Sequence, residues 1–375
     1  MTDRLASVPD LDAVPPRGVF HTDRYTAPAF LELERARVFG RTWIVIGRES
    51  DVPHPGDRLP VEELGESLFV VRGDDRHVRT FRNTCRHRGT RLVARACSAR
   101  HITCPYHGWS YALDGRLLGV PKLSGFDALP KPELGLLPVR TECWAGFVWI
   151  TFDPQAPPLV EYLGELAERL PPYRLEEMRP LLRRSWTLPC NWKSVLDQAT
   201  ESYHLPMVHG ASIARVIDTL STFHGLYPHH LQTIPIADYG WRAWLDRSST
   251  PADLAVTPEQ LRLFHKYVIF PNTLINVMPY HLTVFRVFPL TPDTCRFHYE
   301  FHLRRRPGLI GRLRGWATLL ASLYILREDF GVLLPFQSGL HAAADRRIWL
   351  HREERPLEYF HAVVDDYLDR APPPA

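Results

Sequence analysis

Two short motifs, Cys85-Arg86-His87 and Cys104-Pro105-Tyr106-His107, constrain this 375-residue chain more than any other feature. Each offers a thiolate first and an imidazole second. A fold that uses them must bring two loops face to face with sixteen residues between them. Two thiolates and two imidazoles suit a tetrahedral structural zinc ion, or a [2Fe–2S] cluster in which two Cys hold one iron and two His the other. Zinc sites usually pair like with like, Cys-x2-Cys and then His-x3–5-His, whereas here each loop mixes the two. His87-Arg88-Gly89 and His107-Gly108-Trp109 also place small residues where backbone N–H groups can approach inorganic sulfide. The pattern favours the cluster, whose imidazole ligands set a potential of roughly −150 to +300 mV. Such a cluster moves electrons one at a time.

The length leaves room for two domains with their own cores. Lys and Arg number 45 against 42 Asp and Glu, a formal charge of +3, so no general polyanion or nucleic-acid partner is implied. The basic run Arg304-Arg305-Arg306 with Arg312 and Arg314 reads as a solvated face or a docking patch for an acidic electron carrier. The start, Met1-Thr2-Asp3-Arg4-Leu5, lacks an apolar signal core, and no stretch reaches the roughly 20 apolar residues of a membrane span. The expectation is a soluble, cytoplasmic protein. Cys97, Cys143, Cys190 and Cys295 are then isolated thiols, disulfides being rare in a reducing compartment.

Residues 1–20 are punctuated by proline, and 27–40 have rough helical spacing; together residues 1–40 form an N-terminal extension packed on the second domain. Residues 41–155 show short strands (Trp43–Ile46, Leu68–Val71, Phe147–Phe152) broken by Gly, Asp and Pro, with a hairpin signal at Asp114-Gly115. The two Cys/His loops therefore sit at the tips of a small all-β module. Asp153-Pro154 to Pro158 marks its boundary. In residues 156–375 the pattern predicts a helix over Leu159–Leu170, a strand over Arg183–Thr187 and a helix from Trp192. Antiparallel strands follow at Leu274–Val277, Leu282–Phe288 and Cys295–Leu303, then a long amphipathic helix over Leu309–Leu340 and a frayed Pro372-Pro373-Pro374 end. The class is α+β, an antiparallel sheet gripped by a long C-terminal helix around an apolar cavity.

A second metal signal lies in Glu201-Ser202-Tyr203-His204-Leu205-Pro206-Met207-Val208-His209. Five residues on a regular helix turn about 140°, so His204 and His209 share a metal only if the helix breaks, and Pro206 supplies the break. Glu201, three before His204, falls on the same helical face. Asp329 on the long helix is a candidate third ligand, with Glu328 competing for that role. Two His and one carboxylate on one face leave open positions on Fe(II) for O2 and substrate.

With both motifs in this order, the chain from about Phe39 to Leu340 resembles the catalytic (alpha) subunit of the Rieske non-haem iron, aromatic-ring-hydroxylating oxygenases. Further anchors are Asn191-Trp192-Lys193 and Gln337-x-Gly339. The resemblance implies an N-terminal Rieske [2Fe–2S] domain and a C-terminal helix-grip (START-like) catalytic domain. It implies Cys85 and Cys104 on one cluster iron, His87 and His107 on the other, and His204, His209 and Asp329 on a mononuclear Fe2+. It also implies a head-to-tail homotrimer in which one subunit's cluster lies beside the next subunit's iron. Glu201 then bridges His204 to His107 across the interface, since one carboxylate accepts from two imidazole N–H groups. Many members have Asp at that position; Glu marks the branch resembling choline, betaine and carnitine oxygenases. Many also have Asn where this chain has Gln198.

Electrons are expected from NAD(P)H through a flavin reductase, with or without a ferredoxin. The expected reaction is hydroxylation or oxidative demethylation of a small organic substrate by O2, because the chain is shorter than the large α subunits that pair with a β subunit and dihydroxylate arenes. Ring dihydroxylation and a Rieske electron carrier without oxygenase activity are the alternatives. The expected pocket wall is Phe270, Leu274, Asn276, Met278, Val284 and Phe288 on the strands, with Leu205, Met207 and Val208 beside the ligands.

Overall fold

A computed structural model of the chain describes residues 19–213, 221–236, 254–257, 260–304 and 309–370. The proline-punctuated start up to residue 18, Arg305 and Arg306 of the basic run, and the proline-rich end lie outside these residues. The chain divides into two compact units: Phe39–Leu159, and the residues up to Val38 joined with those from Val160 onward. Among the described residues no helix is long and apolar enough to cross a membrane.

Phe39–Leu159 is almost all β. A seven-stranded antiparallel sheet runs β1 (Ile44–Arg48), β10 (Phe147–Thr151), β9 (Pro138–Trp144), β4 (Val78–Arg82), β3 (Leu68–Arg72), β2 (Asp57–Val61) and β5 (Cys97–Ser98). A three-stranded sheet, β6 (Ile102–Thr103), β7 (Ser110–Tyr111) and β8 (Leu117–Gly119), carries the second Cys/His loop between its first two strands. The hairpin at Asp114-Gly115 joins β7 to β8, closed by Gly115 N–H donating to Ala112 O at 3.0 Å. Phe69, Val71, Phe81, Trp109, Tyr111 and Leu113 form the core here, and Cys85 and Cys104 are rooted in it.

The second unit is built on one meander of antiparallel strands. Its order is β11 (Met178–Leu188), β17 (Thr294–Arg304), β16 (His281–Thr291), β15 (Thr273–Val277), β14 (Leu263–Ile269), β13 (His229–Pro235) and β12 (Thr222–Leu226). The helix expected over 159–170 is two pieces, Leu159–Leu163 and Leu166–Arg169, because Gly164 between them takes φ +53°. Four further helices matter for the site: α1 (Pro28–Glu34), α2 (Trp192–Thr200), α4 (Leu309–Ala342) and α5 (Arg355–Asp369), with the single turn α3 (Leu205–Val208) between α2 and α4. The long helix is not cleanly two-sided: Leu309, Leu313, Trp316, Leu320 and Tyr324 lie exposed on one stripe.

Side chains alternate along strands, so register decides which wall faces the helices. Phe330 of α4 packs edge-on against Phe297 of β17, ring centroids 5.6 Å apart, and against Trp186 of β11 at 5.7 Å. Phe297 meets Phe285, and Phe285 is registered with Leu274, which places Leu274 and Phe285 on the helix-facing side. Asn276, opposite Thr283, shares it. Val284 and Phe288 stand an odd number of residues from Phe285 and point to the other face. Their expected place in the pocket wall is therefore corrected: an apolar run over 282–288 does not reveal which half of it looks inward.

α2 is fixed at its start and on its outer side. Asn191 caps it, accepting from Lys193 N–H at 3.0 Å, while its amide donates to Tyr25 O and Pro292 O and its own N–H donates to Gln337 Oε1. Lys193 forms a fully buried ion pair with Glu34 at 2.7 Å, and Trp192 Nε1 donates to the same carboxylate at 2.9 Å. Burial pulls the Lys193 pKa down and Glu34 opposes that. Removing one partner strands the other charge, so Lys193→Met is expected to lower unfolding stability by about 3–5 kcal/mol. A urea midpoint measures this, and adding Glu34→Leu should restore part of the loss.

Candidate metal centres

The two Cys/His loops have the same construction. Gly89 N–H donates to Cys85 O at 2.9 Å and Gly108 N–H to Cys104 O at 3.1 Å, each glycine at positive φ (75° and 72°) where a side chain would be strained. Cys85 N–H donates to Thr90 O and Cys104 N–H to Trp109 O, both at 2.8 Å. Both thiols are buried. Burial raises the Cys85 pKa, and contact with Cys104 adds to the rise, although the Tyr111 hydroxyl 3.3 Å from Cys85 Sγ opposes it. Two thiolates held together in this core require cations. The imidazoles form a separate pair at the rim: His87 and His107 have ring centroids 4.8 Å apart, and His87 stacks on Trp109 at 4.9 Å and 8°.

This split favours the cluster over a single zinc ion. A single tetrahedral zinc ion draws four donors to within about 4 Å of one another. Among the described residues the one group of three or more donors within 4.8 Å of each other is His204, His209 and Asp329, not this quartet. A thiol pair set apart from an imidazole pair fits two irons.

At the other centre, α2 ends at Thr200 and Glu201 is already extended (φ −109°, ψ 171°). Pro206 does not break a helix between the histidines. It sits in the first turn of α3, where a missing N–H costs nothing, and the chain turns before His204. Glu201 meets His204 because of that turn, not because of helical spacing. Its Oε2 accepts His204 N–H at 3.1 Å and its Oε1 takes the hydrogen bond of His204 Nδ1. His209 mirrors this: Nδ1 donates to Glu328 Oε2 at 2.7 Å, and Ser212 Oγ donates to the same oxygen at 2.6 Å. Each ring thus spends Nδ1–H on a carboxylate and turns Nε2 toward Asp329 Oδ1, at 2.9 Å from His209 and 3.8 Å from His204.

That arrangement separates Asp329 from Glu328. Asp329 faces the two Nε2 atoms, where a metal would bind, while Glu328 stands behind His209 at its Nδ1. The sequence could not assign the orienting role, because both acids sit side by side on α4 and Ser212 is a residue of no special type. Gln198 Nε2 donates to Asp329 Oδ1 at 3.1 Å, which gives that amide a position in the site. Burial lowers the His209 pKa, but hydrogen bonds to Asp329 and Glu328 outweigh it, and the net shift is upward. A field that favours an imidazolium equally favours a divalent metal. Donors bound at about 2.1 Å lie roughly 3 Å apart when adjacent, and two Nε2 atoms with one carboxylate on one side suit Fe(II) with open positions.

α2 is anchored on its far side by a buried cluster. Tyr25 Oη donates to Asp197 Oδ2 at 2.7 Å. Arg24 Nε donates to His361 Nδ1 at 3.1 Å, so His361 gives its Nε2–H to Asp197, 3.2 Å away. Of the expected wall, Leu205 is buried beside the ligands, Val208 is partly buried, and Met278 lies buried in the turn after β15. Met207 is 89% exposed and points outward. Phe270 stacks on Tyr367 at 5.1 Å and meets Phe360, so it belongs to the core under α5.

Residues 42–133 match the family model described as Rieske [2Fe-2S] domain, and residues 175–370 the one described as ring hydroxylating alpha subunit (catalytic domain). The chain is a Rieske non-haem iron oxygenase. It is 30% identical over 284 residues to the carnitine monooxygenase oxygenase subunit of Acinetobacter pittii (strain PHEA-2), covering 74% of each chain. It is 35% identical over 210 residues to the biphenyl dioxygenase subunit alpha of Metapseudomonas furukawaii, covering 50% of this chain and 44% of that one. A crystal structure of a quaternary ammonium Rieske monooxygenase in complex with L-carnitine superposes with TM-score 0.78 at 26% identity, over 94% of this chain and 96% of the other. The oxygenase therefore carries a Rieske cluster and a mononuclear iron. It is the oxygenase subunit of its system, fed by a reductase or ferredoxin and acting on a small substrate.

Glu328→Gln tests the orienting role: iron should bind about 10-fold more weakly at His204/His209/Asp329, read by dialysis against a chelator, with the cluster's visible spectrum unchanged.

Proposed function

We propose that the oxygenase inserts one atom of O2 into a small organic substrate, by hydroxylation or oxidative demethylation, at an iron held by His204, His209 and Asp329. The single observation that carries this is the pair of imidazoles whose Nδ1–H groups are spent on Glu201 and Glu328 while their Nε2 atoms converge on Asp329. The bound iron supplies the site for O2 reduction; the protein's part is to orient, to exclude water and to deliver electrons. Glu201 and Glu328 fix the two rings. Cys85, Cys104, His87 and His107 hold the cluster. Monooxygenation is favoured because the likeness to the carnitine monooxygenase subunit spans 74% of both chains, whereas that to the dioxygenase alpha subunit spans 44% of the latter.

The oxygenase works as a cytoplasmic homotrimer in which Glu201 also accepts from the partner's His107. Exposed apolar side chains flank both ends of such a contact: Tyr106 beside His107, and Tyr203 and Met207 beside His204, are 58%, 53% and 89% exposed. Turnover under 18O2 with reductase and NAD(P)H tests the reaction. One labelled atom per turnover is expected, in the hydroxylated product or in the aldehyde released by demethylation and trapped before it exchanges with water; two in a vicinal diol would show dihydroxylation, and none in either would end the oxygenase assignment.

A further inference from the structure

A row of polar side chains crosses the helix-facing side of the catalytic sheet. Register sets Gln232 opposite Lys266, Lys266 opposite Asn276, and Asn276 opposite Thr283, and directly paired residues share a face. That face also carries Leu274 and Phe285. Lys266 confirms the direction: its Nζ donates to Ala199 O at 2.5 Å, in the last turn of α2 and two residues before Glu201.

Three atoms on this wall lack partners. Gln232 and Asn276 are 1% and 8% exposed, yet Gln232 Oε1 and Asn276 Oδ1 accept no hydrogen bond among the described residues. His230 Nε2, two residues before Gln232, is likewise unpaired. Leaving such an atom unpaired is unfavourable, and several gathered on one wall point to a ligand that pairs with them. Phe285 keeps accessible surface in a middle strand although Leu274 opposite it is fully buried, which leaves room beside the row.

Lys266 has one acceptor among the described residues, which leaves it two N–H donors. Lys266 is half-buried, and an ammonium held among apolar strands is ordinarily matched by a carboxylate in contact. Here Glu201 and Asp329 act only through space, being committed to the histidines, and burial brings the Lys266 pKa to about 8 in spite of them. The wall therefore presents a cation and two amide carbonyls beside the iron site.

We propose that this row is the polar end of the substrate pocket. Lys266 receives the carboxylate of an organic acid, and Gln232 and Asn276 accept from a hydroxyl or N–H group on the same molecule. The acid's oxidisable carbon is then directed at His204, His209 and Asp329. The inference rests on the oxygenase reading and adds the class of its substrate. A bare arene leaves all three groups unpaired, and a permanent cation set against Lys266 is repelled, so a zwitterion enters carboxylate first.

The test is binding under nitrogen to iron-loaded protein, before any reductase is added. The probes are 3-hydroxybutyrate, carnitine, mandelate and 3-hydroxyphenylacetate, each beside its primary amide, with toluene as the neutral arene. At least one acid should bind 10-fold or more tighter than its amide. Lys266→Met should erase that ratio while leaving the amide's affinity in place, and Lys266→Arg should restore part of it. A Lys266 that merely caps α2 would change the melting temperature and not the acid-to-amide ratio. Equal binding of acids and amides, tightest binding of toluene, no binding of any acid, or an unchanged ratio in Lys266→Met overturns the proposal. Iron analysis of the same sample separates this from failure of the oxygenase reading. Three irons per chain with no acid preference defeats the substrate class alone, whereas a third site holding zinc or nothing defeats the reading beneath it.

Discussion

Glu201→Gln is expected to keep both metal centres and to lose coupled turnover by roughly 100-fold or more, the upper range for a residue that orients a metal ligand and here the electron's bridge as well. Hydrogen-bond count decides the outcome. A carboxylate offers only acceptors, so it serves His204 Nδ1–H and, in the trimer proposed above, a second imidazole N–H from the partner's His107. A glutamine offers one acceptor and an NH2 group, and that NH2 faces an N–H across one of the two contacts. Volume and packing are preserved, so loss of stability does not explain the result. Iron content and the visible spectrum should match the parent, and single-turnover oxidation of the cluster should slow. Glu201→Asp keeps the charge with one methylene fewer and should recover part of the rate. Parent-like turnover by Glu201→Gln would remove the bridging role.

Asp329→Ala is expected to abolish turnover by removing the third ligand while sparing the cluster in the other unit. Iron should fall from three to two per chain, with acid-labile sulfide constant at two. Two imidazoles without a carboxylate bind Fe(II) poorly, and Gln198 Nε2, 3.1 Å from Asp329 Oδ1, gives no acceptor in its place. Glu328 does not substitute, because its carboxylate is held at His209 Nδ1 and by Ser212, on the wrong side of the ring. If Asp329→Ala retains three irons and Glu328→Gln loses one, the two acids have been assigned in reverse.

What could be read from the chain follows from how locally each feature is encoded. Cys85, His87, Cys104 and His107 lie within two short loops, and the glycines that close those loops stand beside them in the sequence, so the candidate residues and the turns that present them were legible together. The strands from Leu274 to Leu303 were legible because turns at Pro279 and Thr291-Pro292-Asp293 punctuate them. The Asn191-Trp192-Lys193 and Gln337 anchors were visible as motifs, but their work was not: Asn191 meets Gln337 across 146 residues, and Lys193 meets Glu34 from the N-terminal helix. Pro206 misled because proline in the first turn of a helix and proline that ends one look identical in a sequence.

The remaining errors concern facing. Val284 and Phe288 were placed on the pocket side because a fully apolar strand carries no alternation to mark its inward half. The polar row was invisible for the opposite reason. Gln232, Lys266, Asn276 and Thr283 come from four strands, and a lysine between hydrophobic residues reads as a solvated edge until the register of β13 to β16 is known. α5 and the strands β12 to β14 were also missed, their apolar positions being interrupted by His and Gln.

The relay between subunits is tested most directly by mixing two inactive chains. One carries Cys104→Ala and lacks the cluster; the other carries Asp329→Ala and lacks the mononuclear iron. Co-expressed and assembled at random, about a quarter of head-to-tail contacts place an intact cluster beside an intact iron. The account predicts activity near that fraction of the parent's, from two chains that are each inactive alone. A mixed trimer with no activity, while both parent-type metal sites are present by analysis, would contradict it and confine electron transfer to a single chain.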